Sequence, residues 1–154
     1  LRWTGDHLDL LDQRCLPHTV VYRQLTHWRE VSEAIRSMAV RGAPAIGVAA
    51  AWGVVLAAKA GDDLDQAIEG LRASRPTAVN LSWALNRMQT SAKSNGWVDV
   101  HQLERLASAI EAEDRALTRL WSITALEFCR RIVVFFITVT PVRSPRLESV
   151  RLLV

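Results

Sequence analysis

Cysteine is almost missing from these 154 residues, and the two present exclude more than they offer. Cys15 and Cys129 lie far apart and form no CxxC, so neither a disulfide framework nor a zinc site is indicated, and a reducing cytoplasm is the default compartment. Each reads as a structural or incidental thiol. Glycine stops at Gly96 and lysine at Lys93. A nucleotide- or sugar-binding α/β half needs glycine turns at its strand ends, so the later part of the chain does not read as one. No charged segment followed by an apolar one opens the sequence at Leu1, and the longest uncharged run is shorter than the ~20 residues that cross a bilayer. A soluble, cytoplasmic protein without a membrane partner is expected. The four histidines, His7, His18, His27 and His101, show no base-and-orienter spacing and read as surface or turn residues.

What is present is enough for a core, since 49% of the residues are hydrophobic and the length suits one ordinary domain or part of a larger protein. Charge is uneven. Residues 1–114 carry 12 basic and 14 acidic side chains, a net of −2, whereas 115–154 carry 7 Arg and 2 Glu, a net of +5. The basic balance therefore belongs to the last quarter of the chain.

The organising stretch is Val40-Arg41-Gly42-Ala43-Pro44-Ala45-Ile46-Gly47 with the apolar run to Ala58 behind it. Proline suits the first turn of a helix and Gly42 frees the backbone that enters it, so a helix is predicted from about Ala43. It carries no charge as far as Ala58 and is apolar on every face, which predicts burial with Ile46, Val48, Ala49, Trp52, Val55 and Leu56 at the centre. An open helix N-terminus preceded by a guanidinium suits an anion. An ordinary tight turn with a solvated Arg41 is the bland alternative.

Around this helix the chain reads as follows. Leu8–Leu11 and Thr19–Tyr22 suggest two short strands separated by the Leu16-Pro17 turn, a β-hairpin. Thr26 can cap a helix with Trp28, Val31, Ile35 and Met38 on one face. Gly61 ends the buried helix. Asp63 and Gln66 suit a capping box before Leu64, Ala67, Ile68 and Leu71. Arg75-Pro76-Thr77 breaks that helix. Leu81, Ala84, Leu85 and Met88 mark the next, which Gly96 stops near Asn95. Asp99 and Gln102 open another, with Leu103, Leu106, Ala107, Ile110 and Leu117. Ile132 to Thr140 is strand-like, and Pro141 and Pro145 precede a loose end.

Met38-Ala39-Val40-Arg41-Gly42-Ala43-Pro44-Ala45-Ile46-Gly47-Val48-Ala49-Ala50 closely resembles the methylthioribose-1-phosphate isomerase family, part of a superfamily that includes regulatory subunits of initiation factor two B. Trp3-Thr4-Gly5-Asp6, Leu10-Leu11-Asp12-Gln13, Leu16-Pro17, Arg75-Pro76-Thr77-Ala78-Val79-Asn80-Leu81 and Trp83-Ala84-Leu85 extend the likeness over roughly residues 3 to 115. The resemblance implies a mainly α N-terminal domain over 1–115 with a short β-hairpin at its start, and substrate contacts at Arg41, Gly42, Ala43 and Arg75. It also implies a sugar phosphate as ligand, no cofactor, no metal, and a homodimer for the complete enzyme. The family's catalytic cysteine, in a Thr-His-Cys-Asn context, and its catalytic aspartate belong to a Rossmann-like C-terminal domain, and neither motif occurs in this sequence. That domain is expected to be essentially absent, with 116–154 a divergent tail of one strand and a disordered end.

Two readings follow. The first is an isomerase-family chain that is truncated, with a replaced tail as a frameshift would produce, inactive alone and prone to aggregate through Ile132-Val133-Val134-Phe135-Phe136-Ile137. The second is a non-catalytic regulatory or interaction domain of the initiation-factor type, its arginine-rich tail meeting a partner or RNA. The tail's aromatics sit within apolar runs, which disfavours base stacking and makes nucleic acid an unexpected partner.

Overall fold

The computed structural model describes residues 1–93 and 99–139, with side chains given for 1–93 and 99–119. Its internal contacts divide the chain into Leu1–Arg115 and Ala116–Val154. The first unit is mainly helical, with a small antiparallel sheet at its start.

That sheet has three strands, β1 (Arg2–Trp3), β2 (Leu8–Leu11) and β3 (Tyr22–Leu25), in the order β1-β2-β3. Trp3 pairs with Leu8, Leu8 with Leu25 and Leu11 with Tyr22. Alternation along β2 sends Leu8 and Leu10 inward, as a half-buried strand requires. The expected hairpin is corrected in two ways. Its second strand starts at Tyr22 rather than Thr19, because residues 19–21 are exposed and make no ladder: the Thr19 amide turns back to the Cys15 carbonyl at 3.0 Å, and the Val21 carbonyl accepts from the Asp12 amide at 2.9 Å. A third strand, β1, is only two residues long, too short for a periodic signal.

Helix α1 (Trp28–Arg36) is capped by His27, not Thr26. The His27 Nδ1 accepts from the Arg29 amide at 3.2 Å, while Glu30 Oε2 accepts from the His27 and Thr26 amides at 3.1 and 2.7 Å. The reciprocal cap satisfies first-turn donors that the helix cannot serve itself. Trp28, Val31 and Ile35 are buried as their spacing predicts, but Met38 is not part of the stripe: it lies past the helix at φ 60° and is 48% exposed.

Helix α2 (Ala43–Ala60) is the core of the unit. Every residue from Ile46 to Ala57 is buried, and the six residues expected at the centre are all among them. Its length and mean hydropathy of 1.6 would also suit a membrane span, yet 67% of it is packed inside the domain, as in the core helix of a soluble fold. Two glycines let its neighbours close in despite their helix-propensity cost of about 1 kcal/mol each. A Cβ on Gly53 would stand 3.2 Å from both Leu71 methyls and 3.3 Å from Val31, and one on Gly47 would stand 3.0 Å from the Asn80 carbonyl oxygen. Gly61 ends the helix in the left-handed conformation, φ 73°.

Helix α3 (Leu64–Arg72) is capped by Asp63, whose carboxylate accepts from the Gln66 amide at 3.0 Å. Helix α4 (Val79–Lys93) buries Leu81, Ala84, Leu85 and Met88. Gly96 and Asn95, expected at its end, lie outside the described residues. Helix α5 (Val100–Val139) begins after Asp99, which accepts from the Gln102 amide at 3.2 Å. It buries Leu103, Ala107 and Ile110 and half-buries Leu106, while Leu117 is 58% exposed. The strand expected at Ile132–Thr140 is corrected, for residues 132–139 continue α5. The β preference of Ile, Val and Phe is a matter of tenths of a kcal/mol per residue, and extending a nucleated helix is easier than starting a strand. Thr140 and the expected loose end lie outside the described residues.

Candidate functional site

The four residues singled out from the sequence fall at two helix starts. Arg41, Gly42 and Ala43 form the entry to α2. Gly42 is its N-cap at φ 92° and ψ 127°, a conformation that favours glycine, and among the described residues no side chain caps the helix. Pro44 lacks an N–H, so the first-turn donors left to a ligand are main-chain amides of Ala43 and Ala45. Arg41 is exposed, as are Gly42 and Ala43.

Arg75 belongs to the turn before α4. Its carbonyl accepts from the Ala78 amide at 3.0 Å, and the preceding Ser74 is buried, its hydroxyl donating to the Leu71 carbonyl at 2.6 Å. The Arg75 side chain is half-buried and has no hydrogen-bond or ion-pair partner among the described residues. Packing of Gly47 against Asn80 sets the second turn of α2 beside the first turn of α4. Each of these helix starts, with its dipole and the arginine that precedes it, favours negative charge.

Sequence reasoning missed what holds Arg41. Its Nη2 donates to the Gln13 carbonyl at 2.8 Å, and the Gln13 amide donates to the Ala39 carbonyl at 2.9 Å. On either side of Gln13, Asp12 and Arg14 form a pair. The Asp12 Oδ1 accepts from the Arg14 amide at 3.1 Å and from Nε at 2.8 Å, and Oδ2 accepts from Nη2 at 2.5 Å. Asp12 is buried, at 4% exposure. The Arg14 side-chain hydrogen bond brings its carboxyl down to about 2, against the opposing pull of burial. Nothing in the local sequence marks a backbone carbonyl as a guanidinium's partner 28 residues away.

The depressed carboxyl makes a pH prediction. Because folding lowers the Asp12 pKa from 3.8 to about 2, its contribution is present above pH ~4 and is lost as pH falls through about 2. Arg14 is half exposed, so solvent screening limits the contribution to roughly 1–2 kcal/mol. Urea denaturation of the chain and of Asp12→Asn should differ by that amount at pH 6, and the difference should shrink as pH falls below about 4 and close only near pH ~1. A difference that stays constant over this range would remove the pair from the account.

The histidines sit on the surface or at half-exposed turns, with His27 doing the unforeseen work of a cap. Cys15 is a free, half-buried thiol, and the side chain of Cys129 lies outside those described. A cleft of about 370 Å³ lined by Trp3, Trp52, Glu111 and Arg115 opens beside the middle of α2, about ten residues, or ~15 Å, along the helix from Gly42.

The described helical unit sets one arginine before the start of α2 and another before the start of α4, with α2 buried at its centre. The sequence profile of the Initiation factor 2 subunit family matches residues 39–133, and the chain belongs to that family. It is 99% identical over 119 residues to the methylthioribose-1-phosphate isomerase of Synechococcus sp. (strain CC9902), covering 77% of this chain and 36% of that protein. It is 66% identical over 118 residues to the enzyme of the same name from Synechococcus sp. (strain CC9605). The chain thus spans about 36% of the length of the first relative. Among solved structures it is similar to 5-methylthioribose 1-phosphate isomerase from Pyrococcus horikoshii OT3, with a TM-score of 0.64 and 33% identity over 73% of this chain and 34% of that one. It is also similar to the delta subunit of translation initiation factor eIF-2B from A. fulgidus, with a TM-score of 0.57 and 32% identity over 73% of this chain and 35% of that one.

Proposed function

We propose that this chain supplies the phosphate-binding half of a methylthioribose-1-phosphate isomerase, with Arg41, Gly42, Ala43 and Arg75 contacting the sugar phosphate. The observation that supports the reading is the packing of the second turn of α2 on the first turn of α4, each helix preceded by an arginine, in a chain 99% identical over 119 residues to a protein of that name. The reaction moves a carbonyl from the first to the second carbon of a five-carbon thiosugar. Because the anomeric oxygen carries the phosphate, the ring cannot open by ordinary mutarotation, and the enzyme must grip the phosphate while charge develops on sugar oxygens. Guanidiniums and helix amides suit that task, since they offer forked and fixed donors without proton exchange. They are poor acids and bases near neutrality, so proton transfer falls to groups other than these four. The complete enzyme is read as a cytoplasmic homodimer that needs no membrane or nucleic-acid partner.

In a complete family enzyme carrying residues 1–115 of this chain, Arg41→Ala and Arg75→Ala should each remove roughly 1.5–3 kcal/mol of charged hydrogen bonding. That is about a ten- to hundredfold loss in kcat/KM for methylthioribose 1-phosphate. Unchanged kinetics in both variants would take the two arginines out of the site. The likeness to the eIF-2B delta subunit supports a second reading, a non-catalytic regulatory domain. Full-length protein that binds no sugar phosphate yet holds a protein partner would favour it.

A further inference from the structure

We propose that Asp12 is a positioning residue for the phosphate site, acting through one peptide plane to fix the aim of Arg41. The inference rests on the assignment of Arg41 to substrate binding. Its basis is covalent geometry. The Gln13 carbonyl and the Arg14 amide belong to the same peptide unit, which is planar, so its C=O and N–H point in opposite directions and turn together. The Asp12 Oδ1 accepts from the Arg14 amide at 3.1 Å, and on the opposite edge of that unit the Gln13 carbonyl accepts from Arg41 Nη2 at 2.8 Å. Holding one edge of the plane therefore orients the other.

The carboxylate is itself held. It is buried, and the guanidinium of Arg14 grips both its oxygens through Nε and Nη2 at 2.8 and 2.5 Å. Main-chain bonds fix the turn it sits in. The Asp12 amide donates to the Val21 carbonyl at 2.9 Å, tying the turn to the chain entering β3, and its carbonyl accepts from the Cys15 amide at 3.2 Å. The Gln13 amide donates to the Ala39 carbonyl at 2.9 Å, two residues before Arg41. The start of the sheet and the entry to α2 are thus joined at one point, and that point ends on a guanidinium that is otherwise exposed. An exposed arginine pays side-chain entropy to meet a ligand in one geometry, and a fixed acceptor behind one Nη group lowers that cost while leaving other donors free. The Asp12 contact confers alignment, not chemistry, so it should show as substrate affinity more than as turnover.

The test is a double-mutant cycle in a complete family enzyme carrying residues 1–115 of this chain, read by steady-state kinetics on methylthioribose 1-phosphate and by thermal melting. Asp12→Ala should raise KM about five- to twentyfold with a smaller change in kcat. In an Arg41→Ala background it should have almost no further effect on kcat/KM while lowering Tm as much as it does alone. Asp12→Asn, which retains an oxygen for the Arg14 amide, should recover most of the lost affinity, and it serves where the alanine variant fails to fold. Equal losses of kcat/KM in the two backgrounds would overturn the positioning role but leave Arg41 in the site. An Arg41→Ala enzyme with unaltered kinetics would overturn the assignment of Arg41 and this inference with it.

Discussion

Trp52→Ala is expected to lower the stability of the chain by about 3–5 kcal/mol, the range for removing a large aromatic from a packed core. The indole is 3% exposed and lies in the middle of α2. On one side it stacks on Trp3 of β1, with ring centroids 4.5 Å apart and planes 12° from parallel. At its edge Nε1 donates to Glu111 Oε2 on α5 at 3.0 Å, while Arg115 engages the other oxygen of the same carboxylate. One side chain thus joins the sheet, the central helix and α5. Its loss would leave a cavity and free Trp3 from its stacking partner, with the Lys59 ammonium 5.6 Å from that ring's centroid left to hold it. Trp52→Phe separates the parts, since it keeps a ring for Trp3 but loses the donor to a half-buried carboxylate, at a cost nearer 1–3 kcal/mol. Urea denaturation followed by far-UV circular dichroism reads both. A loss below about 1.5 kcal/mol for the alanine variant would mean that β1 and α5 are held chiefly by other contacts.

The same residue shows how far the sequence could be read. That α2 is central followed from its lack of charge and its Gly-Ala-Pro start, because a helix apolar on all sides has no stable place but a core. Which residues would meet Trp52 did not follow, since Trp3 and Glu111 are distant in sequence and their contacts are set by packing. Elements with a strong period, α3, α4 and the first turns of α5, were legible. The sheet was legible only in part, because a two-residue β1 has no period and β3 buries a single side chain, Leu25. The run at 132–139 misled because β-branched residues carry a weak preference that helix propagation outweighs. Arg41, Gly42, Ala43 and Arg75, the contacts we propose for the phosphate, stand out through motifs, whereas the Gln13 carbonyl that holds Arg41 does not. Every residue has a carbonyl, so composition cannot say which one will receive a guanidinium.

Gly70→Val should cost about 3–4 kcal/mol, although glycine inside a helix is normally a weakness that any side chain relieves. Gly70 lies in α3, where replacing glycine with valine would gain a few tenths of a kcal/mol in helix propensity. Space decides the sign. A Cβ built on Gly70 would stand 2.4 Å from Trp28 Cζ3 and 2.7 Å from Cη2, far inside contact distance. The indole cannot easily withdraw, for it is 7% exposed, the Arg29 guanidinium lies 4.7 Å from its centroid, and the His27 ring is 5.8 Å away. The backbone cannot easily slide either, because Ser32 on α1 donates to the Gly70 carbonyl at 3.0 Å. Overpacking of this kind costs typically 1–3 kcal/mol and more when the obstacle is a rigid ring, and the valine methyls add to it. The test pairs Gly70→Val with Trp28→Leu. A smaller apolar partner leaves room for the new side chain, so valine should cost less than 1 kcal/mol in the Trp28→Leu background, as a direct contact requires. Equal costs in both backgrounds would show that the penalty arises elsewhere in α3, and that the close fit of α1 on α3 at Gly70 is not what holds the two helices together.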